Sequence, residues 1–497
     1  MLHKLPSVCI AFVFFILCAN LQAQDSFYRG SSYPFIKEEI NEIDNNLKGL
    51  RQFYRQLDKL ETGEKKQLNI VHIGDSHIQA DWFSGIVRME LQKRFGSAGR
   101  GLIFPYAVAK TNGPKDVSAR SNIRWESRRN SRSVPHDLHT GVSGMGIRSQ
   151  SPNFELRIRL GENPYQLDYS FNQVTLFAEQ GPINFDLQIS PTSFTGNSPV
   201  YVAPPIVTSD VEYHTIESGD NLTRVAKKYG LTIQELKDLN GLESSVIYAG
   251  QKLKVSAGGR NIAPPRRSIK SNGSGYLLPI SDRSLMNTLH QVNWEDAGQE
   301  VYLRGRKSTA LQSQSVLYGL VLENTHKKGI LYHMIGVNGA EFKHFNRSGN
   351  FWRQVRALNP DLIIISLGTN ESVNRSFNAN RFFEEIDEFI SDLEQQIPYT
   401  DILFTTPPEA LRSGREENPN VRRSKNVLLS YSLANELACW DFFEIMGGSG
   451  SIRQWKDAYL AQKDYLHLTK AGYELQGKLL FRALMKGYED FRLAESR

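Results

Sequence analysis

Two hydrophobic periodicities alternate along this chain. Leu68 to Ile73 is a mainly apolar run that stops at Gly74, which predicts a buried strand. From Ile78 the apolar residues take helical spacing: Ile78, Trp82 and Ile86, with Phe83, Val87 and Leu91 alongside, so a helix is expected up to Phe95. Upstream, Ile36, Ile40, Ile43, Leu47, Leu50, Tyr54, Leu57 and Leu60 step by three and four, predicting one long amphipathic helix. From about Gly101 to Glu323 the pattern changes to short strands between Gly and Pro turns. Phe154–Leu160 alternates cleanly, and Val174–Phe177, Phe185–Ile189, Val301–Leu303 and Val316–Leu322 are further strand candidates. The buried-strand pattern then returns at Ile330–Ile335, Leu362–Ile365, Ile402–Thr405 and Cys439–Phe442, with a helical stretch at Arg381–Gln396. Apolar strands separated by helices predict a parallel, doubly wound α/β sheet, here interrupted by a β-sandwich-like insertion.

Inside that insertion, proline-rich stretches at Val202–Ile206 and from Ala257 to Gly275 bracket a compact unit from Tyr213 to Val255, and read as linkers. Length and composition fit several folded domains. The excess of 59 Lys+Arg over 53 Asp+Glu is only +6 with no dense basic run, so nucleic acid is not implied as a partner. Residues 1–23 read as an export signal. Lys4 is its positive start and Val8–Leu17 its apolar run, with Ala23 before the cut; a lipid-attached Cys18 is the alternative. The apolar run is too short to span a bilayer, so no transmembrane segment is expected in the mature chain. The expected location is the periplasm or cell envelope. Cleavage would leave Cys439 as the single cysteine, a buried strand residue rather than a nucleophile.

In a doubly wound sheet, chemistry gathers at the carboxyl ends of the strands. The first such end carries Ser76 at a strand-to-helix turn, where free N–H groups favour negative charge. The second carries Val337-Asn338-Gly339-Ala340, and the third Gly368-Thr369-Asn370-Glu371. Asp464 and His467 lie in a loop after the last strand, ahead of a helix that Thr469 can cap. A hydroxyl, an imidazole and a carboxylate suit acyl transfer: His467 as base for Ser76, Asp464 three residues earlier to orient the ring. The amides of Ser76 and Gly339 and the side chain of Asn370 can hold an oxyanion. Asp75 reads as a turn-holding residue, and His77, Gln79 and Asp81 as ordinary first-turn residues with no assigned role. His72 and His333 read as satisfied core histidines. No HExxH or CxxC run occurs, so neither a metal nor another cofactor is implied.

These four blocks, beginning with Gly74-Asp75-Ser76-His77 and ending with Asp464-Tyr465-Leu466-His467, resemble the SGNH (GDSL-type) hydrolases. The resemblance implies a flavodoxin-like three-layer α/β/α fold and serine esterase activity. His77 stands where that family usually has Leu, and Glu371 where it usually has Asp. The His variant, with β-structure between the first two blocks, is similar to the peptidoglycan O-acetylesterase branch. The expected domains are 24–103 and 326–497 for the hydrolase and 104–325 for the β-rich insertion. A LysM domain is expected at 211–256 within the insertion.

That last assignment rests on Tyr213–Leu222, Val225–Gly230, Thr232–Leu236 and Ile247–Leu253, which resemble a βααβ LysM domain, with Asp220 and Thr232 as its helix caps. The resemblance implies binding of peptidoglycan or another N-acetylglucosamine-containing glycan. The groove would be formed by Gly219, Asp220, Asn221 and Leu222 on one loop and Ser244, Ser245, Val246 and Ile247 on the other. Asn221 departs from the family's common Thr. Together these features point to a secreted esterase that removes O-acetyl groups from peptidoglycan. An esterase for another acylated polysaccharide or a lipid, and a non-catalytic wall-binding protein, remain open alternatives.

Overall fold

The computed structural model describes residues 33–496 apart from 133–136, 180, 195–200, 203–212, 218–219, 230, 241, 243, 249, 256–275, 279–288 and 348–350. The export signal, most of the proline-rich brackets and Gly219 lie outside the described residues.

The apolar runs become one sheet of six strands: β1 (Ile43–Asp44), β2 (Gln67–Gly74), β3 (Gly329–Gly336), β4 (Leu362–Ser366), β5 (Asp401–Thr405) and β6 (Ala438–Trp440). Their spatial order is β1-β6-β5-β4-β2-β3, parallel except for β1, which runs antiparallel on β6. Leaving β1 aside, the order in chain sequence is second, first, third, fourth, fifth, that of a flavodoxin-like sheet. The helices of this part include α1 (Arg51–Thr62), α2 (Ser76–Gln79), α3 (Phe83–Phe95), α4 (Thr369–Val373), α5 (Ala379–Gln396), α6 (Pro419–Ala434) and α7 (Lys470–Glu495). β2 and β3 are buried along nearly their whole length, which is why they read as continuous rather than alternating apolar runs. His72 is a core histidine, bonded through Nδ1 to Tyr332 Oη and through Nε2 to Ser366 Oγ at 2.7 Å each; burial pushes its pKa down to about 3. Buried His333, also pushed down to about 3, accepts the Leu102 N–H.

Two helices expected from periodicity are broken by tertiary pairing. Instead of one helix over Ile36–Leu60, the chain makes a 3-10 turn at Glu38–Ile40, strand β1, a short helix Asn46–Gly49 and then α1. Asn45 sits in the left-handed region (φ 55°), while Ile43 and Asp44 pair with Trp440 and Cys439. Edge pairing, together with the Asn41–Trp440 side-chain bond at 2.9 Å, outcompetes a helix that had only one apolar stripe to offer. The helix expected from Ile78 to Phe95 is likewise split into α2 and α3, because Asp81 (φ 57°) turns inward. Its carboxylate accepts Arg88 Nη1 and Arg100 Nη2 at 2.6 Å each, and Ser84 Oγ at 2.7 Å.

The β-rich part forms two further six-stranded sheets among the described residues. One includes Val117–Ser121, Glu155–Leu160, Asp186–Ser190 and Glu300–Arg306. The other includes Glu126–Arg129, Met145–Ser149, Phe171–Ala178, Leu289–Gly298 and Ser315–Glu323. Leu156, Ile158, Leu160, Val301 and Leu303 are buried while their neighbours along each strand are more exposed, so one face of the first sheet is turned to a core. Gly99–Ile103, expected to belong to the α/β part, pairs instead with Ser315–Glu323. The LysM-like segment is βααβ: Tyr213–Thr215, Leu222–Tyr229, Ile233–Asn240 and Lys252–Lys254, around Ile216, Leu222, Val225, Leu236 and Leu253.

The turn that carries Ser76 is packed on the end of β3 with no room to spare. A Cβ built at Gly336 would lie 2.3 Å from the Gln79 nitrogen and 2.7 Å from the Ile78 carbonyl carbon, backbone atoms that cannot swing away. Gly336→Ala should therefore destabilise the protein by about 2 kcal/mol or more, read as a fall in Tm. A Tm equal to that of the unsubstituted protein would contradict this packing.

Candidate active site

Ser76 is raised at the end of β2 by a local arrangement that only certain residues permit. A Cβ at Gly74 would fall 2.9 Å from the Ser366 carbonyl oxygen and 2.3 Å from Ile78 Cγ1. Asp75 then caps α2, its Oδ1 accepting the His77 N–H at 2.9 Å. Ser76 Oγ lies 3.0 Å from His467 Nε2, and His467 Nδ1 lies 2.8 Å from Asp464 Oδ2. The Asp464 carboxylate also receives the N–H groups of Leu466 and His467 at 3.0 Å each, with Tyr465 in the left-handed region (φ 53°). Burial alone would raise the Asp464 pKa; the bonds from His467 and from these amides override it and hold the carboxyl below its ordinary range. Asp464 therefore stays ionised and fixes the tautomer in which Nδ1 carries the proton and Nε2 can accept one. Thr469 caps α7 by accepting the Gly472 N–H, so the loop with Asp464 and His467 is anchored immediately downstream.

The Ser76 and Gly339 N–H groups have no hydrogen-bond acceptor among the described residues. Asn370 is different. Its Nδ2 donates to Ala340 O at 2.9 Å and to Asp75 Oδ2 at 3.1 Å, so both protons are engaged and the amide is not the open donor expected from sequence. Beneath it lie two buried carboxyls. Burial pushes Asp75 up to about 7 against the bond from the His77 N–H. Burial pushes Glu371 up to about 8, although its Oε1 accepts the Phe342 N–H at 2.9 Å; its Oε2 has no partner among the described residues. The Glu371 carboxyl is thus mainly protonated at pH 7.

His77, given no role by the sequence, belongs to this site. It is only 4% exposed, its ring stacks on His467 with centroids 5.3 Å apart, and its Nδ1 is 2.9 Å from Tyr473 Oη. Burial, with the His467 charge second, pushes it down to about 3, so it is a neutral ring beside His467. Its neighbours Asp75 and Gln79 are polar as well, so the local sequence did not single it out. That α7 returns to cover it was not legible.

In the LysM-like segment several expected groove residues serve the fold. The Asp220 carboxylate accepts the Glu217 N–H at 3.0 Å and bonds His214 Nε2 at 2.9 Å, and those bonds hold its pKa below the ordinary value. Asn221, not Asp220, caps the first helix by accepting the Arg224 N–H at 2.8 Å. Leu222 is 3% exposed, so its side chain is core and only its backbone can face a ligand. Ser244, Ser245 and Val246 are exposed and Ile247 is half-buried.

Residues 214–256 match the LysM domain family, and residues 306–475 match the GDSL-like lipase/acylhydrolase family; Ser76 lies ahead of the second span. Among curated proteins, the N-acetylmuramoyl-L-alanine amidase sle1 of Staphylococcus aureus is 27% identical over 203 residues. That match covers 41% of this chain and 56% of the relative, so the chain spans about half the length of the curated relatives it matches. A solved peptidoglycan O-acetylesterase structure superposes with a TM-score of 0.61 at 16% identity, covering 88% of this chain and 96% of that one, a likeness of fold.

Replacing Glu371 by Gln tests the neutral-carboxyl reading. A carboxyl raised from about 4.3 unfolded contributes stability that is fully present below that value and is lost as pH rises through its folded value near 8. Glu371→Gln, which cannot ionise, should lose less stability than the unsubstituted protein between pH 5 and 9 in urea melts. Parallel pH profiles would refute the assignment. In its fold and its matched segments, this chain combines a GDSL-like lipase/acylhydrolase domain with a LysM domain.

Proposed function

We propose that this protein is a secreted serine esterase that removes O-acetyl groups from peptidoglycan and is held on the glycan by its LysM domain. The observation that carries the reading is the continuous line Ser76 Oγ, His467 Nε2, His467 Nδ1, Asp464 Oδ2, with separations of 3.0 and 2.8 Å. The LysM match and the O-acetylesterase fold favour a wall glycan as substrate. In this reading residues 24–103 and 326–497 make the hydrolase, although the strand Gly99–Ile103 pairs with the accessory sheet. Residues 104–325 make an accessory β-sandwich carrying LysM at 211–256, and helices flank the parallel sheet in three layers.

The geometry supports acyl transfer by the following steps. Ser76 Oγ attacks the acetyl carbonyl carbon while its proton passes to His467 Nε2, and Asp464 stabilises the imidazolium. The carbonyl oxygen becomes an oxyanion in reach of the Ser76 and Gly339 N–H groups, each such donor being worth about 3 kcal/mol in the transition state. Asn370 joins by exchanging its longer bond, to Asp75, for a charge-assisted one; Asp75 keeps the His77 N–H and the Thr369 side chain. The tetrahedral intermediate collapses as His467 returns the proton to the sugar oxygen, which leaves as an alcohol. Water then attacks the acetyl-Ser76 ester with His467 again as base. Acetate departs and Ser76 recovers its proton.

Ser76→Ala should abolish acetate release from O-acetylated peptidoglycan without lowering Tm. Labelling of another serine by an organophosphonate, with Ser76→Ala still active, would overturn the assignment. Asn370→Ala should lower kcat about 100-fold with KM little changed, and Asp464→Asn should cost less than His467→Ala. Base-treated sacculi should yield no acetate. Equal turnover on acetylated xylan or lipid esters would favour another acyl substrate.

Replacing Tyr213–Val255 by a short Gly/Ser link should leave hydrolysis of a soluble aryl acetate unchanged. It should reduce both binding to sacculi and acetate release from them, since tethering acts through local concentration. Collapse of soluble-substrate turnover in a folded protein would show that the module shapes the active site directly.

A further inference from the structure

The residues after β3 hold a β-turn whose central peptide can face two ways. The Ala340 N–H bonds to the Val337 carbonyl at 3.0 Å, closing a turn over Val337, Asn338, Gly339 and Ala340. Gly339 has φ 76°, while Asn338 is absent from the positive-φ residues, which makes this a type II turn. Types I and II differ by a reversal of the peptide between the two central residues, and glycine at the third position accepts either form. A trans peptide points its C=O and N–H in opposite directions. Whatever holds the Asn338 carbonyl therefore aims the Gly339 N–H.

That carbonyl is held from the accessory part. Ser131 Oγ donates to Asn338 O at 2.8 Å. Ser131 follows the strand Glu126–Arg129 in a turn fixed by Asn130 N–H to Gly144 O at 2.9 Å and Arg132 N–H to Arg129 O at 3.2 Å. Its hydroxyl lies 3.9 Å from where a Gly339 Cβ would be. On the other flank, Gln79 Oε1 accepts the Asn338 N–H at 2.6 Å, and Asn112 Oδ1 accepts Asn338 Nδ2 at 2.8 Å. Gln79 is itself fixed by donating to Thr111 Oγ1 and to the Asn112 carbonyl at 3.0 and 2.7 Å. Three polar groups thus bind Asn338, and the one on its carbonyl selects the orientation of the next N–H.

We propose that Ser131, supplied by the β-rich accessory part, is a positioning residue for the esterase reaction: its hydroxyl latches the Asn338–Gly339 peptide in the orientation that presents the Gly339 N–H to the oxyanion. The inference rests on the esterase reading above. Without the latch the turn also populates the type I form, in which a carbonyl oxygen replaces the N–H and repels the developing charge. The accessory part then contributes to turnover of substrates too small to touch it.

The test is Ser131→Ala against Ser131→Thr on a soluble aryl acetate, with affinity for an alkyl boronate as a mimic of the tetrahedral adduct. Ser131→Ala should lower kcat about tenfold, the worth of one hydrogen bond, with KM unchanged, and weaken the boronate by a similar factor. Ser131→Thr, which keeps the hydroxyl, should restore both, and Tm should not separate the two variants. A role in packing alone would move Tm and would not divide kcat from KM. If Ser131→Ala matches the unsubstituted enzyme in kcat and boronate affinity while Ser76 remains the labelled nucleophile, the latch is refuted and the esterase reading stands. If the unsubstituted protein neither hydrolyses the ester nor is labelled at Ser76, the esterase reading falls, and the latch with it.

Discussion

Strand β2 has no neighbour in its own part of the chain, and the rest of the molecule is arranged to provide two. Its hydrogen bonds go to Gly329–Gly336 on one side and Leu362–Ser366 on the other, both beyond the β-rich excursion. A buried strand cannot leave its N–H and C=O groups unpaired, so the excursion must end where it began. The structure meets that constraint closely. Ser97 bridges to Ile330, and Gly99–Ile103 pairs with Ser315–Glu323. A Cβ on Gly329 would lie 2.2 Å from the Gly96 carbonyl carbon, so departing and returning chains touch through glycines. The accessory part is therefore a closed loop in topology, and its size is of little consequence to the sheet.

The same junction carries a cluster of buried charge. Arg88 and Arg100 lie between Asp81 and Asp116, with Arg100 Nε 2.5 Å from Asp116 Oδ2 and Arg88 Nε 3.2 Å from Tyr169 Oη. Two cations facing two carboxylates leave no net charge to bury, though their net worth over a well-packed apolar cluster is small; removing one partner is what costs heavily. The cluster spans the start of α3, the strand Gly99–Ile103, the residue before Val117–Ser121 and Tyr169. The turn that follows Ser76 is thereby tied to the accessory part by charge as well as by Gln79. A mechanical connection between these parts accounts for why the helix after Ser76 breaks at Asp81 rather than running on as one helix.

Below the triad the protein keeps its charges few. His77 is neutral, and burial raises the pKa of the Asp75 and Glu371 carboxyls while bonds from His467 and backbone amides hold that of Asp464 low, so Asp464 is the ionised group beside His467. In the proposed esterase reading, that simplicity suits a histidine that gains and loses one proton per half-reaction. Competing charges nearby would bias it towards one state.

Much of this was legible in the residues. The buried parallel strands showed as apolar runs, the strand-to-helix turn at Gly74-Asp75-Ser76 as a change of period, and the LysM-like unit as a local pattern with its own core. These features depend on neighbours in sequence, and local sequence determines them. What the sequence could not carry were the outcomes of contests between distant segments. Periodicity favoured a helix through Ile43, but the edge of β6 needed a partner; it favoured a helix through Asp81, but two buried guanidiniums needed a carboxylate. Asn370 could be named as a donor, yet only the folded chain showed both its protons already engaged. His77 and Ser131 carry no local signature, because each acquires its place from a residue more than 200 positions away: Tyr473 and Asn338. Local chemistry determined which groups this protein has to work with. Tertiary packing decided which of them are charged, which are free, and which way one peptide faces, since burial and orientation are set by whatever is folded against them.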